Sequence, residues 1–382
     1  MSLMLSEFHA AGYRSLRRIR FPVGRLGVFQ GANGVGKTNL YRALQLVQAA
    51  AAGTLSRELA AEGGMESVLW AGERPHGKPV RMAFRAGLGP LPGGASDYVY
   101  EVTAGIRECT APAFPLEPQI KEETLTFHHR GRRHKLLERR GPAAFARDDK
   151  GVRQELRADL MASETALGSL ADPGRFPDLH SLRWTLLDWR FYHEMRSDLE
   201  GPLRRPCLAV VAPTLASDGA NLAAVFATLA YIREDRVDLD RAIEDAFPGA
   251  ALEVPVPDRT ASFGLRFPDH PKRVFESWEL SDGTLRYLAL AGALLAYRLP
   301  AFIALNEPET SLHPDLLEPL ARLIVRASER TQIWLVTHSE TLAAALAEHG
   351  DLKPLTVIKR DGETWIEGLK ITGEFRDEEE GA

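Results

Sequence analysis

Apolar residues recur along this chain with two different periods, and the switches between them lay out its elements. Residues 7–16 and 18–29 read as two strands around a turn, with Pro22 and Gly24 marking a break. Residues 39–52 are an unbroken helix former that Gly53 can cap, and residues 56–61 predict a second short helix. Residues 80–85 alternate apolar with basic or small side chains, and residues 98–103 are rich in aromatic and β-branched ones; both predict strands. Residues 124–129, a basic turn at 130–135 and residues 136–140 read as strand, turn, strand. A helix is expected over residues 156–170, closed by Asp172, Pro173 and Gly174. Residues 182–191 are apolar with aromatics at Trp184, Trp189 and Phe191. Helices follow at 221–232 and 239–247, then strands at 252–256 and 262–267. The last block alternates: helix 284–299, strand 302–305, helix 313–328, strand 332–336, helix 340–348, strand 355–358.

That alternation is βαβ logic, so the expected fold is α/β, with a mixed, largely parallel sheet covered by helices. The stretch 106–177 differs in composition, with three prolines in residues 111–118 and a cluster of basic residues near 130–140. It is expected to be a β/α lobe inserted into a head domain whose two parts are 1–105 and 178–382. The tail 377–382 is acidic and is expected to fray.

Composition narrows the class. The chain has 382 residues, room for two or three ordinary domains or one large one with an insertion. With 45% apolar and 26% charged residues it needs neither metal nor disulfide staples to fold. Its two cysteines, Cys109 and Cys207, are too far apart in sequence to suggest a zinc site or a disulfide framework, which points to a reducing compartment, the cytoplasm. The N-terminus lacks the basic and apolar regions of a signal peptide. The longest apolar helix candidate, residues 287–297, is bracketed by Arg286 and Arg298 and is too short to span a bilayer. No membrane partner is expected. A net charge of −5 does not advertise nucleic-acid binding by the whole molecule.

One stretch carries the chemistry. Gly31-Ala32-Asn33-Gly34-Val35-Gly36-Lys37-Thr38 fits G-x-x-x-x-G-K-[ST], the phosphate-binding P-loop. A short apolar run, Leu26 to Phe29, precedes it and a helix follows. Glycines let backbone N–H groups curl around phosphate oxygens, and a helix N-terminus adds partial positive charge. Lys37 would reach the β- and γ-phosphates, and the Thr38 hydroxyl would ligate Mg²⁺. A P-loop needs a second, acidic strand. Residues 301–305 are apolar and end in Asn306, Glu307, Pro308 and Glu309. Glu307 can accept a proton from an attacking water, and Asn306 occupies the position of a carboxylate that would hold a Mg²⁺-bound water. Strand 332–336 ends in Thr337, His338 and Ser339, at the end of a parallel strand where ligands bind. Alone, His338 is as well explained by structure; with the other motifs it is a γ-phosphate contact. Finally, Glu279-Leu280-Ser281-Asp282-Gly283-Thr284 precedes a long helix and could be a plain N-cap.

Taken in order, these motifs resemble those of ABC-type ATPases: P-loop, signature (Leu280 to Thr284), acidic strand, D-loop (Ser311-Leu312-His313-Pro314) and switch histidine (His338). The signature is LSGGQ in transporters and LSDGT-like in soluble relatives. The chain is therefore similar to the soluble ABC-like ATPases of the RecF, structural-maintenance-of-chromosomes (SMC) and overcoming-lysogenization-defect group, in its stand-alone bacterial branch. Gly12-Tyr13-Arg14-Ser15-Leu16, Glu307-Pro308-Glu309-Thr310-Ser311-Leu312-His313-Pro314 and Asp218-Gly219-Ala220-Asn221-Leu222 carry this narrower match. The resemblance covers about 1–105 and 178–345.

The resemblance implies ATP and Mg²⁺ as cofactors, and two copies dimerised head-to-tail around two ATP molecules. Ser281 and Gly283 of one copy would touch the γ-phosphate held by Lys37 of the other. Arg14 and Ser15 would flank base and phosphates, with Asn33, Gly34, Val35, Gly36, Lys37, Thr38 and Asn39 forming the phosphate cradle. Glu307 and His338 would be catalytic, and Thr38 and Asn306 would serve the metal. Asn306 departs from the family's Asp. It leaves three readings: slow turnover, which the retained Glu307 favours, a binding switch, or a substitution that traps ATP. Six Arg/Lys against one acid in residues 128–141 set a phosphate-backbone contact beside a solvated hairpin, and the acidic whole favours the hairpin. Two functions follow: an ATPase acting on DNA in repair, maintenance or phage defence, and a regulatory ATP switch signalling to an unidentified protein partner.

Overall fold

The period-two stretches of the first third become strands of one antiparallel sheet, and the later apolar runs become a parallel one. The computed structural model describes residues 3–73, 80–90, 97–106, 113–156, 159–170, 172–233 and 236–375. The chain divides into two units. Met1–Gly24, Gly31–Trp189 and Leu355–Ala382 form one; Arg25–Gln30 and Arg190–Pro354 form the other. Elements are numbered in chain order.

The first unit holds β1 (Met4–Tyr13), β2 (Leu16–Pro22), β4 (Arg81–Gly89), β5 (Tyr98–Gly105), β6 (Gln119–His129), β7 (Arg132–Arg140), β8 (Ala143–Arg147) and β9 (Arg153–Glu155). They pair antiparallel in the order β2-β1-β4-β5-β6-β7-β8-β9. Alternate residues such as Phe8, Ala10, Ile19, Phe21, Met82, Phe84 and Val102 are buried, so one face of the sheet is core. Helix α1 (Lys37–Ala52) lies against β1 and β4, burying Leu40, Ala43, Leu44 and Val47 at helical spacing. It ends at Gly53, whose φ of 82° is the left-handed cap a glycine supplies without strain. Two short helices, α2 (Leu55–Ala61) and α3 (Gly64–Val68), follow; α4 (Pro177–Leu187) also packs on α1. A C-terminal hairpin of β18 (Leu355–Arg360) and β19 (Glu363–Ile366) completes this unit.

The second unit is built on four parallel strands: β3 (Leu26–Gln30), β10 (Arg190–Tyr192), β16 (Phe302–Asn306) and β17 (Gln332–Thr337). They run in the order β10-β16-β17-β3. Strands β16 and β17 are apolar over residues 302–305 and 333–336 because both faces are covered. Covering helices are α5 (Leu222–Tyr231), α6 (Val237–Ala246), α7 (Asp282–Leu295), α8 (Leu317–Ser328) and α9 (Glu340–Gly350). Short strands β11 (Cys207–Leu208) and β13 (Thr260–Ala261) pair, as do β12 (Ala251–Glu253), β14 (Gly264–Arg266) and β15 (Val274–Glu276). Leu285, Leu288, Phe226, Ile243, Leu320 and Leu335 join one core.

An α/β fold with a parallel sheet is what the alternation predicts. Three details differ. Residues 7–29 make three strands, because the break at Pro22 and Gly24 separates β2 from β3. Residues 119–155 within the expected lobe supply β6 to β9 of the first unit's sheet. The helix expected over 156–170 is absent: residues 159–170 are turns and irregular backbone. Their polar groups are engaged elsewhere. Carbonyls of Met161 and Glu164 accept from the buried Arg139 guanidinium, the Ser163 carbonyl accepts from Ser56 Oγ, and the amides of Ala166 and Leu167 donate to buried Glu123. Those bonds replace the i→i−4 ladder. The acidic tail, Cys109 and the connection at 91–96 lie outside the described residues. Among the described residues, no helix is long and apolar enough to cross a membrane.

Candidate functional site

In the first unit, Gly31 to Gly36 loops into the N-terminus of α1. Gly34 and Gly36 have φ of 81° and 97°, values that side-chain-bearing residues rarely adopt. The N-cap, Gly36, offers no side chain, and the first turn of α1 contains no acid, so neither offsets the positive end of the helix dipole. A Cβ on Gly34 would meet nothing within 4 Å, whereas one on Gly31 would lie 2.5 Å from the Val357 carbonyl oxygen. Asn33, Gly34 and Thr38 are exposed; Lys37 is buried, its ammonium donating to the Gly31 and Ala32 carbonyls at 2.7 and 2.9 Å. Lys37 thus closes the loop on itself with a positive charge inside it.

Polar side chains fix the loop from beside it. Asn39 Nδ2 donates to Ser15 Oγ at 2.6 Å, Ser15 Oγ and Thr364 Oγ1 are 2.7 Å apart, and Thr364 Oγ1 donates to the Val35 carbonyl at 2.8 Å. Arg14 takes a different direction. Its φ is 46°, and its guanidinium donates to Glu62 Oε2 at 2.6 Å. Glu62 also accepts from Tyr13 OH at 2.7 Å and from Arg42 Nε at 2.5 Å. Burial, and then the Glu62 carboxylate, hold the Tyr13 phenol far above its ordinary value, so it stays a donor.

In the second unit, parallel register brings three strand ends together: Asn306 lies opposite Val336, and Thr337 opposite Gln30. The carboxyl edge of such a sheet is where α/β proteins bind ligands. Asn306 Oδ1 is buried and has no hydrogen-bond partner among the described residues, which leaves it an acceptor for a ligand. Glu307 follows at φ 48°, its amide donating to the Val336 carbonyl at 2.8 Å. A side chain in that region is strained, and such strain gathers at functional sites. His338 Nδ1 is 3.6 Å from Glu307 Oε1 and 3.2 Å from Glu309 Oε1.

Glu309 organises this turn. Its Oε1 accepts from Thr337 Oγ1 at 2.6 Å and from the amides of His338 and Ser339 at 3.0 and 3.2 Å. Arg286 of α7 faces the same carboxylates. Burial lowers its proton affinity, against the pull of Glu309 and Glu307, and its Nε has no hydrogen-bond partner among the described residues. The acidic-strand motif contains Glu309, and Arg286 lies two residues beyond the signature stretch; their tasks are visible only in the folded chain. Thr364 stands outside every motif.

The stretch from Leu280 to Thr284 forms a helix cap with a rigid back. Ser281 Oγ caps α7 by accepting from the Thr284 amide at 3.2 Å. Arg204 holds the cap from behind, donating to the Leu280 carbonyl and to Asp282 Oδ1, both at 2.7 Å. A Cβ on Gly283 would lie 2.7 Å from the Ser311 carbonyl oxygen, so only glycine allows this approach. Ser281, Gly283, Thr284, Ser311 and His313 line one open cleft of about 660 Å³. The structure therefore gathers Asn306, Glu307 and His338 in one cluster and Ser281 and Gly283 in another, both within the second unit. The P-loop, Arg14, Ser15 and Asn39 belong to the first.

The basic hairpin resolves into two parts. Arg139 is fully buried, and Lys135 and Arg140 pair with Glu138 at 2.8 and 3.6 Å. His128, His129, Arg130, Arg132, Arg133 and His134 are exposed at its tip.

Comparison with known proteins bears on both units. A family described as "AAA domain, putative AbiEii toxin, Type IV TA system" matches residues 28–344. No curated protein matches the chain. Among solved structures, an SMC head bound to the C-winged helix domain of ScpA is similar over 97% of this chain and 99% of that chain, with 14% identity and a TM-score of 0.51. The SMC head domain from Thermotoga maritima covers 97% of this chain and 100% of its own, with 17% identity and a TM-score of 0.44. The first likeness is one of fold: this chain has the architecture of an SMC ATPase head.

Proposed function

Since the chain belongs to the family of AAA domains that also bears the description putative AbiEii toxin of type IV systems, we propose that it binds ATP and hydrolyses it slowly, pairing head-to-tail with a second copy as it does so. The observation that carries this reading is the loop at residues 31–38: two left-handed glycines, a buried lysine and a helix N-terminus with no side-chain cap and no acid in its first turn form an anion cradle.

The chain's groups divide the work. Lys37 exchanges the Gly31 and Ala32 carbonyls for phosphate oxygens, and backbone N–H groups of the loop hold the rest. Glu307 takes the proton of the attacking water as oxygen bonds to the γ-phosphorus and the bond to the bridging oxygen breaks, releasing ADP and phosphate. His338, set by the Glu309 contacts to its turn, holds the γ-phosphate. Ser281 and Gly283 present a hydroxyl and a helix N-terminus to the γ-phosphate bound by the other copy. Each residue suits Mg²⁺ by its own chemistry: the exposed Thr38 hydroxyl is an oxygen ligand that would hold it directly, and Asn306 Oδ1, without a hydrogen-bond partner among the described residues, would accept from a metal-bound water. When bound, it would neutralise phosphate charge. Asn306 brings no charge of its own, which supports slow turnover.

We assign the cellular role to DNA, in repair, maintenance or phage defence. Support comes from Arg130, Arg132 and Arg133, which are exposed at the hairpin tip and have no acidic partner among the described residues. The alternative is a switch read by a protein partner. It is supported by the neutral Asn306 and by the precedent of an SMC head solved with a protein domain bound. Stimulation of turnover by duplex DNA separates the two. ATP binding itself is tested by calorimetry: the wild-type chain binds MgATP, and Lys37→Ala weakens binding about a hundredfold. Equal affinity in the two proteins would contradict the proposal.

A further inference from the structure

The loop's shape is held by a residue more than three hundred positions away. Thr364, on β19, is 1% exposed. Its hydroxyl has one proton, and that proton goes to the Val35 carbonyl at 2.8 Å. The contact with Ser15 Oγ at 2.7 Å must then run the other way, with Ser15 donating. Ser15 Oγ in turn accepts from Asn39 Nδ2 at 2.6 Å. The result is a one-directional chain, Asn39 to Ser15 to Thr364 to Val35, in which each hydroxyl accepts once and donates once. A backbone bond from the Thr364 amide to the Ser15 carbonyl, 2.8 Å, fixes the middle of it.

This chain acts on one peptide plane. A trans peptide carries its C=O and the next N–H on opposite sides. Tying the Val35 carbonyl to Thr364 therefore turns the Gly36 N–H away from β19. The fit is close: a Cβ on Gly36 would lie 1.9 Å from Thr364 Oγ1 and 2.6 Å from Ser15 Oγ, at a φ of 97°. Gly36 is thus a glycine for two reasons, its backbone angle and the hydroxyl pair beside it.

We propose that Thr364 is a positioning residue for the phosphate cradle. It orients the Val35–Gly36 peptide so that the Gly36 N–H is presented to nucleotide phosphate, and Ser15 and Asn39 set the direction of its hydroxyl. This rests on the ATP reading above. It further means that the C-terminal hairpin is a working part of the nucleotide site.

The test is calorimetric titration of ADP and of ATP into wild type, Thr364→Val, Thr364→Ser and Ser15→Ala, with thermal melting of each ligand-free protein. Thr364→Val should weaken both nucleotides about tenfold, and Thr364→Ser should restore most of the loss. Ser15→Ala should also weaken binding, and its effect should not add to that of Thr364→Val. If Thr364→Val fails to fold, Ser15→Ala and Thr364→Ser carry the comparison alone. Wild-type affinity in Thr364→Val, or full additivity of the two substitutions, overturns the positioning role and leaves the ATP reading intact. A wild-type chain that binds neither nucleotide overturns both.

Discussion

In the proposed reaction, Asn306 is the residue on which turnover would depend. Its Oδ1 is buried and has no hydrogen-bond partner among the described residues, at the carboxyl end of β16 and next to Glu307. An amide oxygen can accept a hydrogen bond there but adds no negative charge, so affinity for a divalent cation falls. Asn306→Asp should lower the Mg²⁺ concentration for half-maximal single-turnover hydrolysis by about tenfold or more and raise the rate. An unchanged Mg²⁺ dependence would remove the metal role from this position. Residues of this kind are legible in a sequence because their motif is contiguous. The P-loop, Glu307 and His338 are each read from fewer than ten neighbouring residues. Thr364 is not, because what makes it matter is contact with Val35, 329 positions earlier. Glu309 and Arg286 fall between: one is in a motif and the other beside one, but only the fold shows Glu309 holding the His338 turn and Arg286 facing both carboxylates.

At the scale of elements, strands and helices with a clean period are where the pattern puts them, and the exceptions have local causes. Residues 159–170 carry a helical pattern but no helix, since buried Glu123 and Arg139 capture their amides and carbonyls. No window of sequence around 160 contains that information. β19 escapes notice for the opposite reason: four residues are too few to establish a period. The β1–β2–β4 face offers a test of its own. His9 is largely buried there, and burial, with Arg18, Arg85 and Arg20 opposed by Glu7, lowers its pKa from 6.5 to about 4. The folded state therefore refuses a proton that the unfolded state accepts between those values. This contribution to stability is complete above pH 6.5 and is lost as pH falls toward 4, to a limit of roughly 3 kcal/mol. Urea unfolding of wild type and His9→Gln at pH 7.5, 6 and 5 measures it. The wild type should lose stability more steeply than the variant, and parallel slopes would contradict the account.

For the molecule as a whole, the family match over residues 28–344 and the SMC-head fold agree with the order of motifs along the chain. Neither supplies a partner. The acidic net charge of −5 argues against a DNA-coating surface and leaves the hairpin tip as the local exception. The proposed function calls for symmetry. The helix cap at Ser281 and Gly283 opens onto a surface cleft, and the P-loop leads into a helix N-terminus with no side-chain cap. Two copies related head-to-tail would join each cap to the other's nucleotide and close the pair. Slow hydrolysis would set how long that pair lasts, so removing the Glu307 carboxylate should prolong it. The most direct test is therefore the mass in solution of wild type and Glu307→Gln, by light scattering on a sizing column, with and without MgATP. The account predicts monomers without nucleotide and ATP-dependent dimers that are more fully populated in Glu307→Gln; a monomer under every condition would contradict it.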